Sequence, residues 1–185
     1  MNETLKNIAE RFSCRDFADT PLTDGQVEAL VGAALAAPSA MNLQPWRLVV
    51  VRDKALIDEM DAYGMDVLAA EEDKSAYDRM MSRGGKLFYN APFMLVILAD
   101  KSRWGMLDSG ILCQNAVLAA QSIGLGTCIV GMARIPLSGP RGDEFAKRLN
   151  LPEGYEFAVG VIAGEIRGGK EPHEPDREKV TYINS

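Results

Sequence analysis

Three short, nearly continuous apolar runs limit the folds that this chain can adopt. They occupy residues 45–51, 93–99 and 157–163 and consist mainly of Val, Leu, Ile, Ala and Phe. Runs of this length and composition are typical of β-strands. A strand without alternating polar residues is buried on both faces in most proteins. The sequence therefore predicts a central sheet that is covered on both sides.

The segments between these runs carry helical patterns. Thr23 can cap a helix that ends near residue 37, and Gln26 completes a capping box with it. Pro38 disfavours helical geometry in the residue before it. Further helices are predicted at 3–12, 53–63, 107–123 and 141–149, with another inside the charged segment 69–85.

The C-terminal segment 167–185 is rich in glycine, proline and charge until a short strand pattern at residues 180–183. A lone strand is not stable, so this pattern needs another sheet edge to pair with. The sheet of a partner subunit is one way to supply that edge.

Length, charge and the N-terminal sequence exclude several classes of protein. The 185 residues contain no repeat or low-complexity linker, which predicts a single domain spanning 1–185. A nucleic-acid-binding domain normally has a basic face, whereas this chain has a formal net charge of −6. No segment is typical of a signal peptide or a membrane span. We therefore expect a cytoplasmic protein that binds neither nucleic acid nor membrane.

The sequence contains few side chains that are suited to catalysis or metal binding. The single histidine, His173, lies in the tail among prolines and charges, which disfavours a histidine-dependent hydrolase. The three cysteines, at positions 14, 113 and 128, lack metal-ligand spacing and are expected to be reduced thiols. No metal site is predicted. An enzyme built from this sequence would need a cofactor for the difficult chemical step.

The first candidate site is the segment 11–15, at the end of the first predicted helix. Arg11 and Arg15 flank Ser13 within five residues. Guanidinium groups bind phosphate oxygens in a bidentate manner, and a hydroxyl adds a neutral donor. The alternative is an exposed helix end whose arginines are merely solvated.

A second candidate is the loop between Pro38 and Pro45, which contains Ser39, Asn42 and Gln44. Asparagine and glutamine amides carry a donor and an acceptor in one plane, which suits the edge of a heterocycle such as a flavin. The alternative is a loop whose amides bond to its own backbone.

The third candidate is the glycine-containing segment 124–131. It differs from the dinucleotide-binding fingerprint, because its third glycine comes too late and it follows a helix instead of opening one. Its slim backbone allows main-chain N–H groups to approach a flat ligand closely. The alternative is a helix C-cap at Gly124 followed by a turn.

Taken together and in chain order, these segments resemble the motifs of the nitroreductase family of FMN-dependent oxidoreductases. The resemblance also includes Ala91-Pro92 before the second apolar run, and it extends over nearly the whole chain. It implies an α+β fold in which a mixed central sheet is flanked by helices. It also implies an intertwined homodimer whose C-terminal extension, 167–185, is exchanged with the partner subunit.

The resemblance further implies which residues hold FMN. Arg11 and Ser13 would bind the phosphate, and Arg15 would approach the pyrimidine side of the flavin. Pro38, Ser39 and Ala40 would reach the flavin of the opposite subunit. Lys170, His173 and Arg177 are alternative candidates for completing the phosphate clamp. The implied cofactor-binding residues are Arg11, Phe12, Ser13, Arg15, Pro38, Ser39, Ala40, Asn42, Gln44, Cys128, Ile129, Val130, Gly131, Lys170 and His173.

The implied activity is electron transfer from NADH or NADPH to nitroaromatics, quinones or similar flat acceptors, by a ping-pong mechanism. The flavin N5 atom would carry the hydride, so no side chain is predicted to be catalytic. One alternative is a flavin enzyme of the same fold that performs dehalogenation or dehydrogenation. The other is a non-catalytic dimer that binds or senses flavin.

Overall fold

The central sheet has four strands in a computed structural model that describes residues 1–183 of the chain. The strands are β1 (Trp46–Val51), β2 (Phe93–Asp100), β3 (Leu125–Val130) and β4 (Tyr155–Glu165), in the spatial order β1-β2-β4-β3. All three neighbouring pairs are antiparallel. The resemblance implied a mixed sheet. In this chain the parallel pairing among the described residues is a single bridge between Ser13 and Thr127.

Three of the strands are those predicted from the apolar runs, but β3 was not predicted. Its sequence, LGTCIV, begins beside Gly124 and contains Gly126, so a glycine-containing turn was the simpler interpretation. Gly124 does adopt a left-handed conformation, with φ of 79°, as expected for a helix C-cap. A Cβ atom on Gly126 would lie 2.8 Å from the Cys14 side chain. This glycine is therefore required for close packing within a strand.

Seven helices surround the sheet in the described part of the chain. The capping box of the second helix is present as predicted, since the Thr23 hydroxyl accepts a hydrogen bond from the Gln26 N–H. The third helix continues to Ala70 and is thus longer than predicted, and the segment 69–85 contains a short helix as expected. The helices are α1 (Glu3–Glu10), α2 (Asp24–Leu35), α3 (Lys54–Ala70), α4 (Ser75–Met81), α5 (Gly105–Ser122), α6 (Ile135–Ser138) and α7 (Gly142–Arg148).

The sheet separates two hydrophobic layers, as the continuous apolar runs predicted. Successive side chains of a strand point to opposite faces. In β2, Phe93 and Leu95 pack with residues of α2 and α5, whereas Met94 and Val96 pack with residues of α3 and α7. All of these side chains are buried. Helices therefore cover both faces of the sheet, and its outer strands, β1 and β3, form its edges.

Two further observations concern the rest of the chain. Residues 180–183, where the sequence has a strand pattern, are not part of any strand in the described residues. None of the helices within residues 1–183 combines the length and the apolar composition needed to cross a bilayer.

Candidate functional site

The segment that follows α1 lies along the outer edge of β3. The Cys14 N–H donates to the Thr127 carbonyl at 2.8 Å, and Ser13 forms the bridge with the same residue. Cys14 is fully buried, whereas Arg15 is exposed. The short segment is thus fixed by backbone pairing, and it presents its polar side chains beside the sheet edge.

The tail is held against this same segment. The Arg167 N–H donates to the Asp16 carbonyl at 3.1 Å, and the Arg167 guanidinium contacts the Asp16 carboxylate at 2.9 Å. A Cβ atom on Gly168 would lie 2.6 Å from that carboxylate, so only glycine fits the close approach. These contacts direct the chain that follows residue 168 toward segment 11–15.

A cleft of about 260 Å³, the basic cleft, lies between the two segments. Two guanidiniums, an ammonium group, a hydroxyl and an imidazole face one space there, and one carboxylate accompanies them. This donor set fits a phosphate group, because cationic donors form short, charge-assisted hydrogen bonds with its oxygens. Arg177, the third tail candidate, does not line the cleft. The lining residues are Arg11, Phe12, Ser13, Arg15, Lys170, Glu171, Pro172 and His173.

A second cleft of about 230 Å³, the edge cleft, lies on the other side of Arg15 along the end of β3. Because Thr127 accepts from Cys14, its polar backbone groups face away from β4, and those of Ile129 face the same way by strand alternation. An N–H at a sheet edge beside a narrow cleft can approach a flat ring closely. The edge cleft is lined by Arg15, Arg79, Met80, Arg83, Leu87, Tyr89, Cys128, Ile129, Val130, Gly131 and Met132.

Arg15 therefore borders both clefts, and a buried acid supports its position. The Arg15 guanidinium lies 5.8 Å from the centre of the Tyr89 ring, within the range of a cation–π contact. Tyr89 has a positive φ of 52°, a conformation that non-glycine residues rarely adopt. The Asp61 carboxylate accepts hydrogen bonds from the N–H groups of Leu87 and Phe88, each at 2.9 Å. Burial raises the pKa of Asp61.

Another cleft of about 400 Å³ also borders Arg15 but is a weaker candidate for an anion. Two of its cations are already neutralised, since Lys54 pairs with Asp58 and Arg167 pairs with Asp16. In the basic cleft, by contrast, none of the cationic side chains forms an ion pair within residues 1–183.

The cysteines of the site are not nucleophiles. All three are free and buried, as expected from the sequence. Burial raises the pKa of Cys128, although Arg15 and Arg11 partly oppose that effect, and burial raises the pKa of Cys113 to about 11. A thiol reacts as its thiolate, so these groups are largely inert near neutral pH.

The loop 38–44 lies outside both clefts in this chain. The Ser39 hydroxyl accepts from the Gln44 N–H at 2.9 Å, and the Gln44 amide donates to the Asn42 side chain at 3.2 Å. The Ala40 N–H donates to the buried Asp108 carboxylate at 3.0 Å. The Asn42 and Gln44 amides thus bond to each other rather than to the loop backbone, as the alternative interpretation had expected, and Pro38, Ser39, Ala40, Asn42 and Gln44 do not line either cleft.

The sequence prediction includes the N-terminal, β3 and tail residues that line the two clefts, but it omits several other lining residues. Arg79 and Arg83 on and after α4 line the edge cleft, as does Tyr89. The sequence does contain one signal, two arginines separated by four residues, although Arg79 lies in α4 and Arg83 in the turn that follows it. The many charges of segment 69–85 concealed it.

The sheet order, the helices on both faces and the paired clefts define an α+β protein of the nitroreductase fold. The sequence profile of the Nitroreductase family matches residues 8–165, and the chain belongs to that family.

Relatives agree with this assignment over the whole of this chain. The chain is similar to a nitroreductase with bound FMN from Desulfitobacterium hafniense DCB-2, with 48% identity, a TM-score of 0.95 and complete coverage of both chains. It is 26% identical to an FMN reductase [NAD(P)H] from Bacillus subtilis, over 100% of this chain and 76% of that protein. The NADPH:FMN oxidoreductase from Vibrio harveyi complexed with NAD⁺ shares 28% identity and a TM-score of 0.74, covering 100% of this chain and 78% of its own.

Proposed function

We propose that this protein is an FMN-dependent oxidoreductase that passes electrons from NADH or NADPH to nitroaromatics, quinones or similar flat acceptors. The observation that carries the proposal is the arrangement of two clefts joined at Arg15, one lined by cations and the other by the backbone of β3. A phosphate linked to a flat ring has this same division of charge and shape. The relatives whose names include FMN and NAD(P)H support it.

In this proposal the basic cleft binds the phosphate. Arg11 and Arg15 would supply bidentate donors, Ser13 a hydroxyl, and Lys170 and His173 donors from the tail. Phe12 would pack along the chain that joins phosphate and ring. We propose Lys170 and His173 rather than Arg177 for the clamp, because Arg177 does not line the cleft.

The edge cleft would hold the ring. The backbone of Cys128, Ile129, Val130 and Gly131 would lie along it, and Arg15 would place positive charge at its pyrimidine side. When bound, FMN supplies the hydride and electron transfer that no side chain of the cleft offers. A fixed guanidinium favours negative charge at the ring position that it faces. Donor and acceptor would use the same space in turn, so we expect ping-pong kinetics.

We further propose an intertwined homodimer. Helix α1 buries none of its residues in a single chain, and Leu5 and Ile8 on its apolar face are 52% and 50% exposed. A helix with an exposed apolar face normally packs against another molecule. The loop residues Pro38, Ser39, Ala40, Asn42 and Gln44 would then complete the site of the partner subunit.

The tail would also reach the partner. Val180, Tyr182 and Ile183 are all exposed, and they carry the strand pattern seen in the sequence. An unpaired strand edge such as that of β1 can accept an added strand from another chain. We propose a cytoplasmic dimer of single-domain chains, 1–185, in which the end of segment 167–185 is exchanged in this way while Lys170 and His173 stay in the basic cleft of their own chain. Residues 184–185 lie outside the described part of the chain.

Flavin loading followed by anaerobic reduction tests the function. We expect the purified protein to retain FMN through gel filtration, to lose its flavin absorbance on addition of NADH or NADPH, and to recover it with a nitroaromatic or a quinone. A protein that stays colourless after incubation with FMN would refute the proposal. Bound FMN that neither nicotinamide reduces would favour dehalogenation or dehydrogenation, and reduction without reoxidation by any acceptor would favour a sensing role.

A further inference from the structure

A fourth cleft, the outer cleft, lies next to the edge cleft. It has a volume of about 570 Å³, which lies within the usual range for small-molecule sites. Arg79, Gly131 and Met132 line both clefts, so the two clefts adjoin each other. The walls of the outer cleft come from the end of α3, from α4, from the short 3₁₀ turn Gly131–Arg134 and from β4.

Two arginines of the outer cleft keep their full capacity to bind a ligand. Arg79 lies in the last turn of α4, and Arg134 closes the 3₁₀ turn. Among residues 1–183, neither guanidinium forms an ion pair with a carboxylate. Glu71 also lines the cleft but does not pair with either of them. In a chain of net charge −6, two unneutralised guanidiniums in one cleft are a notable local charge.

The remaining walls are largely apolar. The apolar side chains that line the outer cleft are those of Leu68, Ala76, Ile135 and Phe157. Apolar walls with a few convergent polar groups are typical of sites for small organic ligands. The cleft therefore matches a flat or apolar body that carries an anionic oxygen group.

We propose that the outer cleft is a subsite for the phosphate or carboxylate of a co-substrate that stacks beside the edge cleft, with Arg79 and Arg134 binding the anionic oxygens. This inference rests on the proposed function and names a substrate class for it, namely anionic co-substrates. The shared chemistry has two sources. One is the 2′-phosphate that distinguishes NADPH from NADH, and the other is a carboxylate on an aromatic acceptor.

The test compares matched probes on the FMN-loaded protein. Binding of NADP⁺ and NAD⁺, and of 4-nitrobenzoate and 4-nitrobenzyl alcohol, is measured by perturbation of the flavin absorbance. The variants are Arg79→Gln, Arg134→Gln and the double variant. The control is Arg52→Gln, which removes one positive charge from an exposed ion pair with Asp24.

In the double variant we expect one anionic probe to bind about 10- to 100-fold more weakly, because two charge-assisted hydrogen-bond donors are lost. The affinity for its uncharged or less charged counterpart should change less than about twofold. Loss confined to NADP⁺ assigns the subsite to the nicotinamide donor, and loss confined to 4-nitrobenzoate assigns it to the acceptor. The inference would be overturned if each anionic probe and its counterpart lost affinity equally. It would also be overturned if neither NADP⁺ nor 4-nitrobenzoate bound more weakly.

The same experiment separates this inference from the proposed function. Flavin absorbance and NADH-driven turnover with an uncharged quinone report on the function, and both should be retained in Arg134→Gln and Arg52→Gln, because neither residue lines the edge cleft or the basic cleft. If the protein bound no FMN at all, the proposed function would fail. Calorimetric binding of 4-nitrobenzoate and 4-nitrobenzyl alcohol to the wild-type and double-variant chains without FMN would then decide the anion subsite alone.

Discussion

Two groups of arginines in this protein differ in how their charges are satisfied. In the paired cluster, Arg141 and Arg148 both contact Glu59, at 2.5 and 2.6 Å, and Glu144 joins them. Their guanidiniums also lie over the Phe145 ring. The second group forms no ion pair within residues 1–183. This unpaired group consists of Arg11, Arg15, Arg79, Arg83 and Arg134.

Location explains the difference. The paired cluster joins α3 to α7 on the outside of the fold, where its carboxylates and aromatic ring satisfy each guanidinium. Every member of the unpaired group lines the basic, edge or outer cleft. Arginines without carboxylate partners can still bind an anionic ligand with their full set of donors. The absence of a carboxylate partner together with a position in a cleft therefore marks the candidate ligand-binding arginines, since Arg47, Arg103 and Arg177 also form no ion pair within residues 1–183 but line none of these clefts.

The largest expected effect concerns the buried carboxylate of Asp61, which binds the backbone just before Tyr89, the aromatic neighbour of Arg15. Asp61→Ala should lower the free energy of unfolding by about 3 kcal/mol, because the buried N–H groups of Leu87 and Phe88 would lose their acceptor. Urea unfolding measures this loss. Asp66→Ala, on an exposed position of the same helix, is the control. Equal destabilisation by the two substitutions would show that the buried carboxylate has no special role.

The next largest effect is expected when one arginine is removed from each of the two groups. Arg11→Ala should weaken FMN binding about 100-fold, because a charge-assisted donor to the phosphate is lost, with little change in stability. Arg148→Ala should do the reverse, lowering the unfolding midpoint while FMN affinity stays the same. Fluorescence titration with FMN and urea unfolding of both variants provide the measurements. A loss of FMN affinity in Arg148→Ala comparable to that in Arg11→Ala would break the distinction.

A smaller effect is expected in the tail. Lys170→Ala and His173→Ala should each weaken FMN binding by about three- to tenfold, since each removes one donor from the basic cleft. Arg177→Ala should leave the affinity unchanged, because this residue does not line the cleft. The same fluorescence titration measures all three. Weaker binding in Arg177→Ala alone would restore that residue as the clamp.

The smallest effect is the acid sensitivity of the paired cluster. Hydrogen bonds from Arg141 hold the pKa values of Glu59 and Glu144 below their usual range. A carboxyl with a lowered folded-state pKa adds stability above its unfolded-state pKa, and this stability disappears as the pH falls through the folded-state pKa. Both side chains are partly exposed, so solvent screens the contribution.

Glu59→Gln should therefore flatten the fall of the thermal unfolding midpoint below about pH 4.5, near the ordinary glutamate pKa. Asp24→Asn, in an exposed pair with Arg52, is the matched control and should leave the acid limb unchanged. If Glu59→Gln retained the full acid dependence of the wild type, the lowered pKa of Glu59 would have no part in it.

Local patterns in the sequence predicted most of the fold. The apolar runs identified β1, β2 and β4, and the capping box at Thr23 identified the start of α2, because these signals depend on neighbouring residues. Strand β3 escaped prediction because Gly126 is there for contact with Cys14, more than a hundred residues away in the chain. The antiparallel order of the strands likewise depends on long-range packing.

The candidate site was predicted to a similar extent. The arginines and serine of segment 11–15 and the backbone of 128–131 do meet, and Lys170 and His173 meet the former in the basic cleft. The roles of these residues remain predictions. Arg79, Arg83 and Arg134 were missed because the lack of an ion-pair partner becomes visible only when the side chains are placed in space. Composition alone counts their charges together with those of Arg141 and Arg148.

Because Arg15 is a wall shared by the basic and edge clefts, the two spaces cannot be filled independently. A ligand that occupies both clefts orders this side chain once. Two fragments that bind on their own each bear that entropic cost, but the second of two fragments that bind together does not. Riboflavin and inorganic phosphate should accordingly help each other to bind, by the same factor in either direction. The whole cofactor should bind more tightly than the separate affinities of the two fragments would give.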